Sequence, residues 1–468
     1  MSQSKTPLLG LCPIGKFVFS HEDALRQKEI LRGLLSHWGI PFVDLEGVLP
    51  DGMVRDQVHV DAVVAHFQAA GVDALFMPHC NFGTEGAVGM IGRRLGLPVL
   101  LWGPRDGAPL PDGTRLRDSL CGLFASSKVL HTLGVPFTYI ENCRPADPQL
   151  RRGVEVFLGA AHAADALRRG CRIGHIGQRI DFFWTTIVNE AELLARFHVE
   201  VKPIDLVSFI DAARNRVAEG RADYEKEVAA LRRDSLIEGF TDEGQLLNIL
   251  AVRDQMLAHA ENDGLDALAV QDFTSLVDAM GAYCFFANSL VSNRLPVSLE
   301  SDIHGAVSNL LLHRAGLRSA PVFLSDITVR HPDDDNGVLL WHAGAPTELM
   351  APGARLRLGK HWILPSPLSG MPHFPLRGGD ITVARFDGRT GDYRLAVGQG
   401  SSCAGPDTQN NWVWMKVDDW PRWERILVEG PFIHHCAMGY GQHGASLLEA
   451  CKYIPGLAPV SLNRDPLI

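Results

Sequence analysis

The chain has 468 residues, 46% of them hydrophobic and 21% charged, with a formal net charge of −10. That balance suits a globular protein with a large core and lacks the basic footprint of a nucleic-acid binder. No apolar run approaches the roughly 20 residues of a membrane span, and nine cysteines with no C-x-x-C pair fit a reduced, cytoplasmic protein better than a disulfide scaffold or thiolate metal site.

From residue 1 to about 165, strands and helices are predicted to alternate. Strands are expected at Leu8–Pro13, Pro41–Leu45, Ala74–Pro78, Pro98–Trp102 and Thr138–Ile140. Helices are expected at His21–Trp38, Val58–Ala70, Glu85–Leu95 and Ser119–Leu133. This alternation implies a parallel sheet covered on both faces, with ligands at the carboxyl ends of its strands. Those ends carry His79 and Asn81 after one strand, and Trp102 closes another. A long helix, about Pro148–Arg169, leads into a second alternating block. Its strands are read at Cys171–Ile176, Val199–Ile204, Ala267–Gln271, Pro296–Leu299 and Pro321–Leu324, with helices that include Trp184–Phe197, Ile210–Ile237, Met280–Asn293 and Ile303–Ala315.

Beyond Asp326, Gly, Pro and polar clusters separate short alternating segments: Arg355–Leu358, Asp380–Asp387, Asp392–Gln399, Val413–Lys416 and Arg425–Val428. These read as an antiparallel barrel or sandwich. The expected architecture is therefore α/β: two doubly wound parallel-sheet domains (1–165 and 166–325), then a mostly antiparallel β-barrel domain (326–468).

Glu300, Asp326, His342 and His435 each sit at or just beyond a short apolar run, where a buried strand delivers a polar group to a pocket rim. Two carboxylates with imidazole suit a hard or borderline divalent ion such as Mn²⁺. Each residue also has a plain reading. Glu300 and Asp326 can cap or turn the chain, and His342 can be a satisfied rim histidine. Asp302 is the better N-cap for the helix from Ile303. In the pair His434-His435 the side chains face opposite sides of an extended chain, so one of them ligates. Asp333–Asp335 reads as a solvated turn, Gly398–Gly400 as a hairpin, and the tryptophans between Trp412 and Trp423 as packing residues.

Several segments together resemble the L-fucose isomerase and L-arabinose isomerase superfamily. Leu-Glu-Ser-Asp-Ile-His-Gly-Ala (299–306) is similar to the family's Cys-Glu-x-Asp-x-x-Gly-Ala, in which the Glu binds metal. Phe-Leu-Ser-Asp (323–326) matches the second carboxylate segment, and Trp-His-Ala-Gly (341–344) resembles Phe-His-Cys-Gly. Gly-Asp-Ile-Thr-Val-Ala-Arg (379–385) looks like a barrel strand, and the segment 435–445 is similar to the closing His-x-x-x-x-x-G-x-x-G-A element. The resemblance implies that Glu300, Asp326 and His435 hold Mn²⁺, or another divalent ion such as Co²⁺ or Mg²⁺. His342 is then a fourth ligand or a substrate contact. It also implies a homo-oligomer, with a hexamer as the expected state.

Departures bear on the substrate. Leu299 replaces the Cys before the metal Glu, and Gln271-Asp272-Phe273 stands where relatives carry a Cys-Trp pair. The expected activity is interconversion of an aldose and a ketose through a cis-enediol, with Glu300 and Asp326 exchanging the proton. The sugar is fucose- or arabinose-like, or a modified monosaccharide. His79, Asn81, Trp102, Gln271 and His342 are the expected sugar contacts. The rival readings are a metal-dependent decarboxylase, epimerase or lyase of a sugar acid, and a non-catalytic sugar-binding protein. None of these involves nucleic acid or membrane.

Overall fold

A computed structural model of the chain describes residues 6–240, 242–361, 363 and 367–465. Two compact units emerge, Gln3–His162 and Ala163–Ile468, with the division falling inside the helix Pro148–Arg168.

The first unit is built on five parallel strands in the order Phe42–Val43, Leu9–Leu11, Ala74–Pro78, Val99–Trp102, Phe137–Tyr139. Ala74–Pro78 and Val99–Trp102 are buried along their whole length. Their unbroken apolar sequences reflect burial on both faces, as parallel sheets require. Helices Val60–Ala70 and Glu85–Leu95 end on glycines in the left-handed region, Gly71 and Gly96, which close the last turn without a Cβ penalty. Gly122, inside the helix Ser119–Thr132, lies against the Phe82 carbonyl so closely that a Cβ would come within 1.4 Å of its oxygen.

The second unit holds a four-stranded parallel sheet in the order Val297–Ser298, Ala267–Val270, Cys171–Ile176, Val199–Ile204. A larger, mostly antiparallel sheet follows it. Its ring runs through Asp392–Cys403, Asp380–Arg389, His435–Tyr440, Phe323–Arg330, Gly337–His342 and Asn411–Lys416. The ring closes because the strand Asp392–Cys403 is long enough for two partners. Its first part pairs with Asp380–Arg389, and its end, Ser401–Cys403, also pairs with Trp414–Lys416. The outcome is the expected class: two parallel-sheet α/β domains and an antiparallel β-barrel. Among the described residues no helix is long and apolar enough to cross a membrane.

Several local expectations are corrected. Arg425–Val428 is not a strand but part of the helix Trp420–Glu429. Trp420, Trp423, Ile426 and Leu427 recur at helical spacing, Asp419 caps the N-terminus and Pro421 occupies the first turn. Gly398–Gly400 lies within a strand rather than at a hairpin, and its partner strand ends at Arg389. Met280–Asn293 is two helices, Ser275–Met280 and Phe285–Ser292. Only Glu190–Phe197 of Trp184–Phe197 is α-helix. Of the segment at 321–324 only Phe323 and Leu324 are strand, and they open the longer barrel strand Phe323–Arg330, which carries Asp326 in its interior.

The tryptophans do pack the core as expected. Trp423 is 1% exposed, donates to Asp418 Oδ1 at 3.1 Å, and covers Gly398 so tightly that a Cβ there would lie 2.2 Å from its ring. Trp423→Ala is expected to cost about 3–5 kcal/mol, read as a lowered urea midpoint at unchanged slope.

Candidate metal centre

The site starts at the end of a short strand. After Val297–Ser298 the chain turns through Leu299, Glu300 and Ser301 into the helix Ile303–Ala315. Glu300 and Ser301 both adopt left-handed backbone, with φ of 58° and 56°. Consecutive non-glycine residues there carry strain on the order of 1–3 kcal/mol each and persist only where surroundings fix them. Here the Glu300 N–H donates to Asp272 Oδ1 at 3.0 Å. The Ser301 N–H donates to the Val270 carbonyl at 2.9 Å, and the Ser301 hydroxyl to the Gln178 carbonyl at 3.0 Å.

The barrel supplies the other side chains. Asp326 and His435 are direct cross-strand partners, and Asp326 also faces Trp341, the neighbour of His342. Register brings Asp326 and His435 together, and His342, the last residue of its strand, also reaches Asp326. His435 Nε2 lies 3.2 Å from Glu300 Oε2 and 3.6 Å from Asp326 Oδ1. His342 Nε2 lies 3.6 Å from Glu300 Oε1 and 3.9 Å from Asp326 Oδ1. His434, half exposed, reaches Asp326 at 3.8 Å.

Behind the cluster runs a buried ionic chain. Asp302 caps the helix by accepting the Gly305 N–H at 2.9 Å. It also receives His435 Nδ1 at 2.9 Å and Arg385 Nη1 at 2.5 Å. Arg385 in turn donates to Asp387 at 2.9 Å, and Asp387 lies 3.2 Å from His304 Nδ1. Asp302 thus fixes the imidazole of His435 so that Nε2 points at the two carboxylates, the carboxylate–histidine arrangement common behind metal ligands.

Electrostatics follow from this packing. Burial alone would raise the Glu300 carboxyl, yet its contacts with His342 and His435 outweigh it and hold it down to about 2. Burial would lower His435, but Asp302, Glu300 and Asp326 carry it up to about 10. His342 is also raised against burial, by Asp326 and Glu300. Asp302 is held well below the usual carboxylate range, since Arg385 and His435 overcome its desolvation. Asp272 goes the other way. Burial and the Glu300 charge push it up to about 8.

The donor set fits a divalent cation. Donor atoms of Glu300, His342 and His435 lie within 4.8 Å of one another, as do those of Asp326, His434 and His435. Glu300 Oε2, Asp326 Oδ1 and His435 Nε2 are buried without hydrogen-bond partners, and all three point into the same space. Carboxylate oxygen with imidazole nitrogen is the ligand chemistry of a borderline or hard divalent metal.

The other expected contacts divide in two. Gln271 follows the strand Ala267–Val270 and precedes Asp272 in the chain, with Oε1 buried and unpartnered. His79, Asn81 and Trp102 lie in the first unit and are spent on it. His79 Nε2 bonds Ser126 at 2.7 Å, Asn81 Oδ1 accepts the Lys16 N–H at 2.7 Å, and the Trp102 indole donates to Cys143 Sγ at 3.3 Å. Sequence reasoning missed Asp272, Arg385 and Asp387 as parts of the centre. The signals were present: Asp272 lies two residues beyond the apolar run Ala267–Val270, and Arg385 and Asp387, two apart on a strand, share a face.

The comparisons with known proteins point the same way. The family model for the N-terminal domain of fucose/sulfoquinovose isomerase matches residues 10–168. A sulfoquinovose isomerase of Priestia aryabhattai is 26% identical over 403 residues, covering 83% of this chain and 84% of that protein. A sulfoquinovose isomerase of Alkalicoccus urumqiensis is 27% identical over 328 residues, covering 68% of this chain and 69% of that protein. The chain is thus similar to the fucose/sulfoquinovose isomerases, in its N-terminal part by the family model and over most of its length by these relatives. The matched family model ends at residue 168, so the isomerase-like cluster of Glu300, Asp326, His342 and His435 rests on the geometry above.

That geometry sets a pH dependence. His435 is protonated below about pH 10 in the metal-free protein, whereas a metal needs its free electron pair. Mn²⁺ binding should therefore expel at least one proton, and affinity should fall about tenfold for each pH unit lowered through the neutral range. Calorimetry in buffers of different ionisation heat measures both.

Proposed function

We propose that the protein is a divalent-metal-dependent isomerase, working with Mn²⁺, that interconverts an aldose and a ketose of a modified sugar through a cis-enediol. The observation that carries this reading is the meeting of two carboxylates and two imidazoles, with orphaned atoms on Glu300, Asp326 and His435 aimed at one point. Sulfoquinovose, which the relatives' names carry, is the first candidate, and fucose- and arabinose-like sugars follow it.

In this reading Glu300, Asp326 and His435 hold the ion, with His342 as fourth ligand or substrate contact. The ion supplies Lewis acidity at the oxygens of the open-chain sugar. The protein supplies the proton transfers. Glu300 enters ionised, because His342 and His435 hold its carboxyl low despite burial. In one direction a carboxylate takes the C2 proton of the aldose. O1 gains a proton in the same step, which gives the cis-enediol; C1 is then protonated as the O2 hydroxyl hydrogen departs, which gives the ketose. Glu300 and Asp326 share these roles, one as base and one as acid. No atom is gained or lost overall.

Asp302 keeps His435 oriented, and Gln271, with its unpartnered oxygen, is assigned to a sugar hydroxyl. His79, Asn81 and Trp102 serve as supports of the first unit's strand ends. The reading treats the chain as three domains, with the barrel completing the site, and as a cytoplasmic homo-oligomer, a hexamer in the fullest form of the proposal. Nine free thiols suit a reducing compartment.

The test is a panel of sulfoquinovose, neutral aldoses and ketoses, and sugar acids in D₂O, followed by NMR after chelation and return of Mn²⁺. Metal-dependent conversion with deuterium at C1 or C2 is the expected result. Mn²⁺ binding without turnover of any aldose, or loss of a carbon fragment from a sugar acid, would overturn it. Glu300→Gln is expected to lower turnover by about 10²–10⁴-fold while circular dichroism stays unchanged.

A further inference from the structure

The parallel ladder between the strands Ala267–Val270 and Val297–Ser298 slips where the site begins. Val297 is level with Leu268 and Ser298 with Ala269, and the Leu268 N–H donates to the Pro296 carbonyl at 2.9 Å. Continued regularly, this ladder would place the Glu300 N–H on the Val270 carbonyl. The Ser301 N–H takes that carbonyl instead, at 2.9 Å. One extra residue has entered the strand, and that residue is Glu300.

Such an insertion leaves a backbone donor without its ladder acceptor. At Glu300 the deficit falls in the interior, since the residue is 8% exposed. Asp272 makes it good, accepting the Glu300 N–H on Oδ1 at 3.0 Å. Asp272 is itself fully buried, and its Oδ2 has no partner. A second buried carboxylate beside Glu300 works against both groups' charges. Among the described contacts, the bond to the Glu300 N–H is the one hydrogen bond its side chain makes.

We propose that Asp272 is a positioning residue of the metal centre, whose side-chain oxygen replaces the lost ladder acceptor and so holds Glu300 in the left-handed turn that aims its carboxylate at His342 and His435. The role needs an acceptor at that position and does not need a charge. It rests on the reading of Glu300 as a metal ligand, and the test separates the two.

Mn²⁺ affinity is measured by titration calorimetry at fixed pH on the full chain, for the unaltered protein, Asp272→Asn and Asp272→Ala. Each metal-free variant is checked by circular dichroism and thermal unfolding. Asparagine keeps the acceptor oxygen and should bind within about threefold of the parent, while alanine should bind about 10–100-fold more weakly, the usual range for an outer partner of a metal ligand. Equal binding by parent and alanine variant overturns the positioning role alone, as does a loss in the asparagine variant as large as that in alanine. Absence of Mn²⁺ binding by the parent removes the metal reading, and the positioning role with it. If the alanine variant does not fold, the asparagine variant decides. Retained affinity supports the acceptor role, and a tenfold or larger loss in a folded protein overturns it.

Discussion

Everything around the candidate centre hangs on the carboxylate of Asp302. It is fully buried, where an unpaired anion would be prohibitively costly. Three partners stabilise it: the helix N-terminus at Gly305, the guanidinium of Arg385 and the imidazole of His435. Each partner belongs to a different element, namely the helix after the parallel sheet and two barrel strands. The anion therefore fixes how these elements meet. Removal of one side of such a buried pair typically costs about 3–5 kcal/mol, although a well-packed apolar replacement of the whole pair can be neutral. Stability alone does not explain why the chain keeps it. Orientation of His435 does.

The second constraint is conformational. The turn at Glu300 and Ser301 is left-handed at two residues with side chains, and the ladder slips by one residue to reach it. A regular strand would run on past this point and send residue 300 along the sheet. The slip instead ends the strand and starts the helix within four residues, from Ser298 to Ile303. Glu300 is thereby presented to the barrel rim, where cross-strand register has already paired Asp326 with His435.

How far the chain could be read without coordinates follows from which of these features leave local marks. Glu300, Asp326 and His342 stand at the ends of apolar runs, and His435 lies in an unusual pair, so hydrophobic patterning exposes them. The same patterning reveals the parallel sheets, whose strands are apolar throughout. It fails at Arg425–Val428, because the apolar residues of the helix Trp420–Glu429 look like alternation over a short window. The slip at Glu300 leaves no mark at all. A glycine would have advertised positive φ, but Glu and Ser do so only through the distant acceptors Asp272 and Val270. Asp302 was legible as a cap, while its ties to Arg385 and His435 span 83 and 133 residues in sequence.

These two constraints also explain why the cluster can be assembled before any cation arrives. Bringing Glu300 and Asp326 near one point in the interior is unfavourable while both are ionised and unscreened. The histidines answer this locally, since His342 and His435 are both pushed toward their protonated forms by the carboxylates around them. Protons on imidazole balance the negative charge in the metal-free fold, and on the proposed reading a divalent cation would take over that balance by displacing them. Asp302 keeps its own countercharge in Arg385 throughout, so His435 can lose its proton without leaving a bare buried anion behind it. On the proposed reading the electrostatic cost of the cluster is met twice, by protons without the ion and by the ion itself when bound.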